Sequence, residues 1–173
     1  MEWFSRPAIN KCQVTARQQN SGAVFATRRT VDSGVYPLEI RKRRLELAVV
    51  QQACPDLAGS IERGAPRGDL RRLVERYAGE MLAAVGGAPD SVILARTHSP
   101  IVAGLFAAAL PPGVRMILQP EAVARSLKHY LARHPEYDAS NGGQRRFLST
   151  RFSAEARPLI ERFWGGRLPF VEV

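Results

Sequence analysis

Short apolar runs alternate along this chain with longer stretches whose apolar residues recur every three or four positions. Gly22 to Ala26, Leu45 to Val50, Val92 to Leu94 and Val114 to Leu118 have the length and composition of buried strands in a parallel sheet. Between them, Asp69 to Val85 places Leu70, Leu73, Val74, Tyr77, Met81, Leu82 and Val85 at helical spacing, and Ile101 to Leu110 is almost wholly apolar. Gly86-Gly87-Ala88-Pro89 closes the first of these helices. Pro100 suits the first turn of the second, with Ser99 as its N-cap. Strand, helix, strand, helix at this spacing predicts right-handed crossovers and a parallel α/β sheet.

The apolar runs end at polar clusters. The first stops at Thr27-Arg28-Arg29-Thr30, the second leads through Gln51-Gln52-Ala53-Cys54-Pro55 to Glu62, and the third stops at Arg96-Thr97-His98-Ser99. Ligands of open parallel sheets bind at the carboxyl ends of the strands, where loops and helix starts offer unpaired N–H groups. The clusters at Thr27-Arg28-Arg29-Thr30 and Arg96-Thr97-His98-Ser99 are therefore held beside a crevice, although Thr30 would equally serve as a helix cap. Arg96 stays charged and has no acceptor; it cannot take a proton but can grip a carboxylate with two N–H groups.

At these positions the chain resembles the glutamate racemases, cofactor-independent isomerases that make D-glutamate for peptidoglycan, the polymer of the bacterial cell wall that sets cell shape. Leu94-Ala95-Arg96-Thr97-His98-Ser99-Pro100 is similar to the family's Leu-Gly-Cys-Thr-His-Tyr-Pro, with Ala95, Ser99 and Arg96 as the departures. Thr27, Thr30, Val31, Ser33 and Tyr36 match its Thr-x-x-Thr-Val-x-Ser-x-x-Tyr, and Cys54-Pro55 with Glu62 match its Cys-Pro and later glutamate. The resemblance implies substrate contacts at Thr27, Thr30 and Thr97, with Arg96 as a carboxylate holder beside them. It implies accessory catalytic roles for His98 and Glu62. It also implies impaired catalysis, because Arg96 stands where the family has its second catalytic cysteine. The family's Asp-Ser-Gly, Pro-Tyr-Gly and Cys-Asn-Thr segments have no counterpart, so the resemblance covers the later two-thirds of a racemase, as in a truncated chain. The implied ligand is glutamate or another acidic amino acid, and the implied partner is a second copy or a complementing N-terminal half.

Past Pro111-Pro112-Gly113 the alternation continues with a strand at Val114 to Leu118, a helix at Glu121 to Arg133, a polar loop, a strand at Arg146 to Ser149, a helix at Ala154 to Trp164 and a strand at Phe170 to Val173. The expected organisation is an N-terminal helix and linker over residues 1–20, a flavodoxin-like α/β lobe over 21–113, and an incomplete second α/β lobe over 114–173. Such a second lobe would leave sheet edges and apolar helix faces uncovered.

Composition narrows the function classes. The 173 residues are 45% apolar and 24% charged, which is ordinary for a globular protein. No apolar run approaches the length of a membrane span, and the first residues lack the apolar core of a signal peptide, so a cytoplasmic protein is expected. The net charge of +9 raises the question of nucleic acid. Its distribution argues for a solvated basic surface instead: 22 arginines and 3 lysines are scattered, without a recognition helix or a zinc-ligand spacing. Cys12 and Cys54 are too few for a metal site or a disulfide framework and are assigned to structure.

Overall fold

The computed structural model describes residues 21–96, 98–137, 146–149 and 157–172. A four-stranded parallel sheet forms its centre, built from β1 (Ser21–Ala26), β2 (Ala48–Ala53), β3 (Ser91–Leu94) and β4 (Arg115–Leu118) in the order β2-β1-β3-β4. β1 lies between two neighbours and is buried at all six positions, which is why Ser21-Gly22-Ala23-Val24-Phe25-Ala26 carries no charge. Connection direction reverses between β1 and β3, and the crevice at such a reversal opens at the carboxyl ends of those strands.

The two faces of the sheet are covered unequally. On one side α3 (Leu57–Glu62), α4 (Arg67–Val85) and α5 (Ser99–Ala109) bury Leu57, Ile61, Val74, Met81, Val102 and Phe106 against Ala23, Phe25, Val92 and Leu94. Phe25 and Phe106 meet with ring centroids 4.7 Å apart. Burying each large apolar side chain is worth roughly 1.5–3 kcal/mol, so this face carries most of the core energy. On the other side α1 (Arg28–Asp32) and α2 (Val35–Arg41) contribute Val31, Tyr36 and Ile40 over Val24, Ala26 and Ala95.

Local signals explain the boundaries. Gly86 takes a left-handed conformation at φ 77° and, with Gly87, donates to the carbonyl of Leu82, which closes α4. Gly34, at φ 62°, separates α1 from α2. Pro37 then falls in the first turn of α2, where its missing N–H breaks no helical bond. At the opposite end of the sheet Asp90 ties three strands together. Its N–H donates to the Ser21 carbonyl, its carboxylate accepts from the Ser21 N–H at 3.0 Å, and its carbonyl accepts from the Arg115 N–H.

The fold differs from the pattern read along the chain at several points. The second strand runs from Ala48 to Ala53 rather than from Leu45 to Val50, and Leu45 is 88% exposed. β2 is an edge strand of intermediate burial, so Gln51 and Gln52 fit in it although they break the apolar run. The segment before Glu62 is a short helix. Ser99 is not an N-cap: His98 holds that position, and the buried Ser99 hydroxyl donates to the Leu94 carbonyl at 3.2 Å. Strand 115–118, expected in a second lobe, pairs with β3 in the first sheet.

Beyond β4 come α6 (Gln119–Arg133), a single 3-10 turn at Pro135–Tyr137, α7 (Arg157–Trp164), and a separate parallel pair, β5 (Phe147–Ser149) with β6 (Phe170–Glu172). From Pro111 to Tyr137 no residue is buried. The N-terminal helix and linker expected over residues 1–20, and Cys12 with them, lie outside the described residues.

Candidate functional site

Three strand ends and the helix starts beside them converge on one cleft of about 620 Å³, lined by Thr27, Thr30, Tyr36, Glu39, Arg96 and His98, among others. Its position follows from topology: Thr27 immediately follows β1, and Arg96 and His98 follow β3, the two strands between which the connections reverse.

Thr27 caps α1, accepting the Thr30 N–H through Oγ1 at 3.1 Å, so Thr30 sits inside the helix rather than capping it. The two hydroxyls are 2.8 Å apart. Each has one proton, and only one of the two can lie between them. The pair therefore keeps one O–H to offer an acceptor in the cleft, whichever way its internal bond points.

Arg96 is only 9% exposed, and its Nη1 donates to the carbonyl of Cys54 at 2.7 Å. That bond clips the end of β2 to the end of β3 and uses one of five guanidinium N–H groups. His98 pairs through Nε2 with Oε1 of Glu62 at 2.9 Å, and its ring packs edge-to-face with Phe163 of α7, centroids 5.2 Å apart. Glu62 reaches it because α3 ends there. Thr97, also expected at the site, lies outside the described residues.

Cys54 is buried, and loss of solvent pushes its thiol up to about 12, against a weaker opposing pull from Arg96. It is protonated at neutral pH and is not a nucleophile. Among the described residues no three His, Cys, Asp or Glu side chains converge as metal ligands.

The sequence reading missed Glu39, Tyr36 and Gln119 as cleft residues. Gln119 follows β4, so the strand-end rule that found Thr27 and Arg96 would have found it too. Glu39 lies on α2, four residues after Val35, and only the packing of α2 brings it to the cleft.

The glutamate racemase of Phenylobacterium zucineum (strain HLK1) is 49% identical over 147 residues, covering 85% of this chain and 52% of the relative. That of Caulobacter sp. (strain K31) is 46% identical over the same shares. The chain is a homologue of the glutamate racemases. It spans about half the length of these curated relatives. No protein-family model matches it. Solved glutamate racemases share the fold: that of Francisella tularensis, in complex with D-glutamate, superposes with a TM-score of 0.74 at 24% identity over 91% of this chain and 58% of its own. The Thermus thermophilus enzyme gives 0.65 at 27% identity over the same shares.

Among the described residues no helix is long and apolar enough to cross a membrane.

Proposed function

We propose that this chain is the acidic-amino-acid-binding half of a racemase-type site. The observation that carries the reading is the single cleft in which Thr27, Thr30, Arg96 and His98 meet, with Glu62 behind His98. The names of the relatives and the D-glutamate bound by the Francisella protein support glutamate as the ligand. In this arrangement Arg96 holds a carboxylate with the guanidinium donors not given to Cys54, and the threonine pair adds one hydroxyl donor.

Racemisation at an α-carbon without a cofactor needs a base on one face and an acid on the other. Arg96 has no lone pair to accept a proton, and the Cys54 thiol is held protonated by burial. His98, paired with Glu62, serves as an accessory acid or base on one face only. The chain by itself therefore binds its ligand without inverting it. D-glutamate forms only when a complementing racemase half or another copy closes the cleft. Support comes from α6, where Val123 and Leu127 are 57% and 55% exposed on one side of the helix.

Calorimetric titration with glutamate, aspartate and leucine tests the binding, and a coupled D-glutamate assay tests the chemistry. Acidic amino acids should bind and leucine should not, with no D-glutamate from the chain alone. Tighter binding of leucine than of glutamate refutes the reading.

A further inference from the structure

The cleft has charges of both signs. Arg96 lies on its β3 side, and Glu39 is the carboxylate that lines it from α2. We infer that Glu39 recognises the ammonium group of the ligand, so that the cleft selects a zwitterionic amino acid over a plain dicarboxylate. This rests on the reading of the cleft as an acidic-amino-acid site and adds to it a residue that distinguishes an amino acid from its deaminated analogue.

The argument begins with how Glu39 is held. Its Oε1 accepts from Lys42, the C-cap of α2, at 2.6 Å and its Oε2 from Arg43, just beyond the helix, at 3.0 Å. Those hydrogen bonds keep the carboxyl below its ordinary value, so it is ionised at neutral pH. Each oxygen retains a lone pair for another donor. All three side chains are largely exposed, and exposed pairs of this spacing contribute little because water competes for them. A ligand ammonium can share the carboxylate, or displace Lys42 from it, at little cost.

Lys42 and Arg43 leave part of the Glu39 carboxylate free for a further cation, which a plain dicarboxylic acid does not bring. An acidic amino acid carries that cation. Its carboxylate reaches Arg96 and the threonine pair while its ammonium reaches Glu39. Val35 and Tyr36 of α2 also line the cleft.

The test is calorimetric titration of the full chain and of Glu39→Gln with L-glutamate and with glutarate, which has the same two carboxylates and no amino group. Glu39 is half-exposed and caps no helix, and matching circular dichroism spectra would verify that the variant folds. The native chain should bind glutamate about three- to tenfold more tightly than glutarate, the range expected of one partly exposed charged contact. In Glu39→Gln that preference should vanish, with glutarate binding unchanged or stronger. An unchanged preference in the variant overturns the inference and leaves the acidic-ligand reading standing. Equal binding of the two ligands by the native chain does the same. Failure of both ligands to bind the native chain overturns that reading and this inference with it.

Discussion

The carbonyl oxygen of Cys54 accepts a 2.7 Å hydrogen bond from Nη1 of Arg96, across 42 residues of sequence. The residue found where the racemases have a catalytic thiol is thus also a brace between two strand ends. Arg96→Cys tests both roles. The variant should lose about 1–3 kcal/mol of stability, because a buried carbonyl loses its donor. Its new thiol, beside His98, should react with an alkylating reagent faster than Cys54 does. No D-glutamate should form, since one positioned group does not replace an acid and a base on opposite faces. Turnover by this variant alone at a rate near that of an intact racemase would show that the chain needs no complement.

Thr27 and Thr30 should separate stability from binding. Thr27→Val removes the side-chain oxygen that caps α1 and should cost about 1 kcal/mol in denaturant unfolding. Thr30→Val leaves that cap in place but removes a hydroxyl from the cleft. It should weaken glutamate binding with little change in the unfolding midpoint. Equal loss of stability in both variants would argue against this division.

Burial of Cys54 gives the fold a dependence on alkaline pH. Its folded value, raised to about 12, exceeds its ordinary value of 9.0, so above about pH 9 the unfolded chain releases a proton that the native chain keeps. The native state then binds more protons, and stability contributed at lower pH is lost as pH rises from about 9 toward 12. Denaturant unfolding of the native chain and of Cys54→Ala at pH 8, 9 and 10 should show the native chain losing stability faster. Parallel pH profiles would refute this.

The exposed side of α6 predicts self-association. Val123, Leu127 and Tyr130 are spaced by four and three residues and form a single apolar stripe on a helix with no buried residue. Sedimentation velocity should show concentration-dependent association of the native chain and a shift to monomer in Leu127→Lys, with the melting temperature unchanged. A native chain that stays monomeric over the same concentrations would contradict it.

What could be read along the chain was whatever depends on local pattern. β1, α4 and α5 lie close to their expected places because each is bounded by residues with one dominant preference, Thr27 and Gly86 among them. The strand-end rule placed Thr27, Thr30, Arg96 and His98 on one cleft for the same reason. β2 was misplaced by three residues because an edge strand tolerates Gln51 and Gln52, which hide its end from an apolar count. The bond from Arg96 to Cys54 and the approach of Glu39 to the cleft depend on packing between distant segments, and no local pattern encodes either.

The Asp90 tie at the closed end of the sheet bears on how the chain emerges during synthesis. Ser21 begins the most buried strand, yet the carboxylate that accepts its N–H lies 69 residues later. At translation rates of roughly 5–20 residues per second, β1 waits about 3–14 seconds for that partner to be made. For this interval Ala23, Val24 and Phe25 have one of their two neighbouring strands at most. An apolar segment in that condition is a substrate for holding chaperones, and ribosome-bound chains halted before Asp90 should be more sensitive to protease at β1 than the released full-length chain.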